Sequence, residues 1–127
     1  MWRGDTVLSH AVKMIQTSNG SIYGVVGSCR FSDALFAWAR SGEEGAMPAM
    51  RDGDNSCSMI RITRARVISL IDDGAVLPTW AMDYCAIGAG AAVALGALHA
   101  GASAPDAVRA ALVHSDAARG DVQILRL

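Results

Sequence analysis

Few residues in this chain combine type and position in a way that could do chemistry. Lys13 sits in the apolar run 12–17, Gly27-Ser28-Cys29 closes a second strand-like run, and Asp116 opens an acidic turn. A lysine in a strand is ordinarily a solvated or snorkelling side chain, and it becomes a proton carrier only beside a nucleophile. Ser28 and Cys29 carry a hydroxyl and a thiol, but the GxSxG strand-to-helix elbow is absent. His10, His99 and His114 are isolated in sequence, and Cys29, Cys57 and Cys85 are widely spaced, odd in number and without a CxxC. That is neither a zinc pattern nor a disulfide framework, so no metal is expected. Gly88-x-Gly90 hints at dinucleotide binding, but Val93 stands at the third glycine position and no acid follows on a second strand. No cofactor is expected.

Composition bounds what these residues can serve. The 127 residues are 52% hydrophobic and 18% charged, with a formal net charge of −1. This describes one domain, 1–127, with an ordinary core. No Lys/Arg cluster suggests nucleic-acid binding. Free thiols and the lack of an apolar stretch after Met1-Trp2-Arg3-Gly4-Asp5 lead to an expected cytoplasmic location. From Tyr84 to Pro105 the only ionisable side chains besides Tyr84 and Cys85 belong to His99, yet the run is mostly Ala and Gly and thin in Leu, Ile and Val. A spanning helix needs about 20 predominantly apolar residues. A strand, a glycine turn and a buried helix fit better, and no membrane partner is expected.

The elements that must position these residues read as follows. Strands are expected at 12–17 and 22–26, joined by Ser18-Asn19-Gly20-Ser21, since Asn-Gly tolerates positive φ at both central positions of a tight hairpin. Ser32 caps a helix over 33–40, which Ser41-Gly42 stops. Residues 41–56 are a surface loop. Strands follow at 59–63, 66–71 and 75–77, the last two joined at Asp73-Gly74. A short strand at 84–87 leads through Gly88-Ala89-Gly90 into a helix ending near Ala100. Ser103 caps the next helix, with Pro105 in its first turn and Asp106 three residues after the cap. A turn at 116–120 and a strand at 121–127 close the chain. Strand runs followed by helix pairs indicate α+β with antiparallel sheet.

Val12-Lys13-Met14-Ile15, the Asn19-Gly20 turn, Ile22-Tyr23-Gly24-Val25-Val26-Gly27-Ser28, Tyr84 to Gly90, Gly101 to Val108 and Asp116 to Asp121 together resemble, in order, the proteasome β-subunit and HslV family. The resemblance implies an N-terminal-nucleophile hydrolase fold, an αββα four-layer sandwich. It implies a threonine-type peptidase in which an N-terminal Thr attacks the peptide carbonyl, with proton transfer managed by its amine, a lysine and an aspartate. Lys13 would match the lysine, Gly27 the glycine whose N–H stabilises the oxyanion, and Asp116 the supporting acid.

The departures carry their own expectations. The chain opens Met1-Trp2, with no Thr or Ser as nucleophile. Asp5, eight residues before Lys13, does not match the family's first-hairpin aspartate. Ala89, Arg119 and Asp121 replace the family's serine, serine or threonine, and second glycine. The first hairpin is therefore expected to be absent, and the chain as written to be a catalytically inactive subunit. It would be either truncated at its start or a pseudo-subunit that forms homo-oligomeric rings or joins related subunits; active relatives cut peptides. A start upstream of Met1 would add roughly 15–25 residues carrying the nucleophile strand and its hairpin. The alternatives are a non-enzymatic structural domain and a small-molecule-binding domain.

Overall fold

The computed structural model describes residues 2–3, 6–7, 13–72, 74–77, 83–115 and 124–127. The described residues form an α+β architecture, with antiparallel sheet and three α-helices. Two short strands, β1 (Trp2–Arg3) and β2 (Thr6–Val7), pair with each other, so a short antiparallel pair precedes Lys13 where the sequence reading expects the first hairpin to be absent. The main sheet follows the order β3 (Met14–Gln16), β4 (Ile22–Gly27), β6 (Asn55–Ile62), β7 (Ile68–Asp72), β8 (Ala75–Leu77), with β5 (Arg51–Asp52) paired onto the start of β6. All pairings are antiparallel.

The hairpin between β3 and β4 forms where Asn19-Gly20 predicts it, with different turn geometry. Gly20 N–H donates to Thr17 O at 2.9 Å, and Thr17 N–H donates to Ser21 O at 2.8 Å. Gly20 is left-handed at φ 86, and Asn19 is not among the positive-φ residues. Instead of a turn with two positive φ angles, the chain makes a five-residue connection with one left-handed residue. The Asn19 side chain explains the choice, because its Oδ1 accepts from Ser21 N–H at 3.0 Å and from the Thr17 hydroxyl at 2.6 Å.

Strand alternation separates the sheet's two faces. Ile15, Tyr23, Val25, Met59 and Ile71 lie on one face and share a core with Leu35, Phe36, Trp38 and Ala39 of helix α1 (Ser32–Arg40). Leu35, Met59 and Ile71 are fully buried there. The other face carries Val26, Ile60, Ile62, Ile68 and Leu70, all half-buried. A second cluster, Ala94, Ala107 and Ala111, joins α2 (Ala91–His99) to α3 (Ala104–His114) through small side chains that allow close approach. No helix among the described residues is long and apolar enough to cross a membrane.

Four sequence expectations are corrected. Ser32 is buried inside α1 rather than capping it, because a 3-10 turn at Cys29–Phe31 runs directly into the helix and its short-range bonds take up the first donors. The stretch 41–56 contains β5 and the start of β6, a small hairpin closed at Gly53 with φ 59. Tyr84–Ile87 has no strand pairing, and neither has 124–127; an apolar run becomes a strand only beside a partner. The turn at 116–120 and residues 121–123 lie outside the described residues. By contrast, Ser103 caps α3 as expected, its Oγ accepting from Asp106 N–H at 3.3 Å, and Gly101, after α2, has φ 98.

Candidate functional site

Strand polarity brings two of the sequence-derived residues to one end of the sheet. β3 runs towards its turn and β4 runs away from it, so the start of β3 and the end of β4 coincide. Val25 N–H donates to Lys13 O at 2.9 Å, placing Lys13 opposite Val25. Gly27 stands two residues further along. A rise of about 3.4 Å per residue and a strand spacing of about 4.8 Å put the two Cα atoms roughly 8 Å apart. Both residues are exposed. Asp116 lies outside the described residues, as does His10.

Gly27 is built into its position. Its φ is +99, and a Cβ there would meet Ser56 O at 2.5 Å and Cys57 Cα at 2.9 Å. Neither atom can yield without moving the β6 backbone. The next residue continues the contact, with Ser28 N–H donating to Ser56 O at 2.8 Å. The β5–β6 hairpin is tethered to the same end by an ion pair between Arg30 and Asp52 at 3.2 Å. On the opposite face Gly88, at φ +102, comes so close to β4 that a Cβ would lie 3.2 Å from Val26 Cγ1. The turn leading to α2 thus rests one residue from Gly27.

Two of the thiols, Cys57 and Cys85, are poor nucleophile candidates. Burial, then the negative charge of Asp72, pushes the Cys57 thiol up, and burial does the same for Cys85. Cys29 is exposed. Among the described residues no cluster of three His, Cys, Asp or Glu side chains could hold a metal. His99 and His114 are exposed, and His99 Nδ1 lies 3.4 Å from the Tyr84 hydroxyl.

The most developed polar cluster was not legible in the sequence. Arg61 Nη1 donates to both Glu43 oxygens at 2.6 and 2.8 Å, Tyr23 OH donates to Glu43 Oε1 at 2.6 Å, and Arg61 Nη2 donates to Ser69 Oγ at 3.3 Å. Burial pushes Tyr23 up to about 12, helped by the neighbouring carboxylate. Burial alone would raise the Glu43 carboxyl, but the bonds from Tyr23 and Arg61 and the arginine charge outweigh it and hold it below its ordinary value. Glu43 adopts φ 63 and its N–H donates to Trp38 O at 3.0 Å. The cluster fastens the segment after α1 to three neighbouring strands. Its carboxylate is fully engaged, which suits a structural clamp better than a proton carrier.

The chain matches no protein-family model and no curated protein.

Proposed function

We propose that the chain is a proteasome β-subunit- and HslV-like N-terminal-nucleophile domain and that these 127 residues by themselves form a non-catalytic, self-associating subunit. The observation that carries this reading is the meeting of Lys13 and Gly27 at one end of adjacent antiparallel strands. Gly27 is locked against β6 in a conformation that suits glycine, and a helix follows directly. An exposed lysine beside an exposed backbone turn is what a threonine hydroxyl attacking a peptide carbonyl would need around it. The glycine turn at 88–90, resting on Val26, adds a third segment of the resemblance to the same end of the sheet.

Chemically, Lys13 would serve as the cation that favours a deprotonated amine or hydroxyl beside it, and the Gly27 N–H as an oxyanion donor. Neither breaks a peptide bond without a nucleophile. Asp116 would complete the support as its acid. The cytoplasm is the compartment this reading implies. The test combines fluorogenic peptide amides with light scattering on the purified chain. The expected outcome is no turnover and a mass above that of one chain. Turnover that falls on Lys13→Ala would overturn the non-catalytic assignment, and a monomer at high concentration would overturn the subunit assignment.

A further inference from the structure

At the turn end of the sheet, remote from Lys13 and Gly27, a cavity of about 390 Å³ opens between the β6–β7 hairpin, the segment 83–85, the α2–α3 connection and the C-terminus. Its volume falls within the range of small-ligand sites, roughly 300–1,000 Å³. Its lining is mainly apolar, with Ile62 and Ile68, which pair across β6 and β7, Leu98 and the exposed Leu127, and it includes Tyr84 and Cys85, which carry a hydroxyl and a thiol. Its charged side chains are one of each sign, Arg66 and Asp83, both exposed. Among the described residues these two make no ion pair with each other or with a third group.

Arg66 is in an unusual place. Its N–H donates to Thr63 O at 2.8 Å while Thr63 N–H donates to Val67 O at 3.0 Å. The β3–β4 connection has the same pattern, with Gly20 in the corresponding position at φ 86. Arg66 therefore holds φ 62 where the turn favours glycine. The turn gains nothing from that choice, whereas the cavity gains a guanidinium in its lining.

We infer that this cavity binds a short apolar peptide with free termini, a di- or tripeptide with leucine-like side chains. The terminal carboxylate meets Arg66, the terminal ammonium meets Asp83, and the side chains cover the apolar lining. The pairing of charges selects this class. A fatty acid or phosphate would satisfy Arg66 but meet the Asp83 carboxylate, and a neutral apolar ligand would use neither charged group. The inference stands apart from the proposed subunit function, since it concerns the opposite end of the sheet and needs no nucleophile.

Isothermal titration of the whole chain with Leu-Leu, and with the same dipeptide acetylated and amidated, provides the test. Leu-Leu is expected to bind with a Kd of about 1 mM or tighter. The doubly blocked peptide should bind at least about tenfold more weakly, having lost both charge-assisted contacts. Arg66→Gly removes the guanidinium while giving the turn its favoured residue, so it should keep the melting temperature and lose about tenfold in affinity. Asp83→Asn, at an exposed position, should also weaken Leu-Leu and leave the blocked peptide unchanged, and it decides the matter if Arg66→Gly unfolds. Absence of Leu-Leu binding up to about 10 mM, equal binding of the blocked peptide, or unchanged affinity in both variants would overturn the proposal.

Discussion

Replacing Gly27 with alanine probes the backbone geometry on which the site reading rests. Two costs add. A non-glycine residue at φ +99 is strained by about 1–2 kcal/mol. The new Cβ would also lie 2.5 Å from Ser56 O and 2.9 Å from Cys57 Cα, so β4 and β6 must part there. Parting endangers the 2.8 Å bond from Ser28 N–H to Ser56 O, worth about 1 kcal/mol net. The sum is about 2–3 kcal/mol, or a fall in Tm of roughly 8–15 °C for a domain of this size. Gly42→Ala is the internal control, since φ is +83 but nothing lies within 4 Å of the new Cβ. It should cost at most about 1 kcal/mol, part of it offset by the reduced freedom of the unfolded chain. Urea unfolding of both variants, with m-values compared, separates strain from steric conflict. A Gly27→Ala chain no less stable than Gly42→Ala would refute the seating of Gly27 against β6.

Other outcomes follow from the same structure. Leu35→Ala, at a fully buried position under the sheet, should cost about 3 kcal/mol in urea unfolding. Ser103→Ala should cost about 1 kcal/mol by removing the α3 cap. Glu43→Gln should cost about 1–2 kcal/mol, discounted for partial exposure, since it weakens the charge-assisted bonds to Arg61. Because the folded state depresses the Glu43 carboxyl, its contribution is present above the ordinary glutamate value near 4.3 and disappears as pH falls through the lower folded value. Unfolding curves from pH 6 to 2 should therefore be flatter in Glu43→Gln. Tyr23 behaves oppositely, since its raised value of about 12 means that the stability it confers is lost as pH rises from 10 towards 12, measurable by phenolate absorbance and unfolding together.

The parts of the fold governed by local rules could be read from sequence. Asn19-Gly20 places a hairpin, Gly101 ends α2, and Ser103 with Asp106 three residues later caps α3, because each depends on φ freedom or on bonds spanning a few residues. Ser32 has the sequence context of a cap, but the backbone already turns at Cys29, three residues before it. β5 was missed because Arg51–Asp52 is a two-residue strand flanked by Gly and acids, too short for alternation to register. Tyr84–Ile87 has strand composition without a pairing, which composition cannot reveal. The Glu43–Tyr23–Arg61 clamp joins residues 20 and 18 positions apart, with no period or motif linking them. Only its geometry exposes it. Lys13 and Gly27 could be singled out by resemblance, but their meeting at one sheet end depends on the antiparallel register of β3 and β4.

The most direct test of the central claim supplies a nucleophile. A chain extended ahead of Lys13 by a threonine-initiated strand-turn-strand segment of roughly 15–25 residues, processed to bare the threonine, would place a hydroxyl and a free amine beside Lys13 and Gly27. Its folding is checked against the original chain by thermal melting. The account predicts that the folded, extended chain hydrolyses fluorogenic peptide amides, and that activity disappears when the threonine is replaced by alanine and falls by 100-fold or more, roughly, in Lys13→Ala. A folded extended chain without activity, or activity that survives both substitutions, would contradict it.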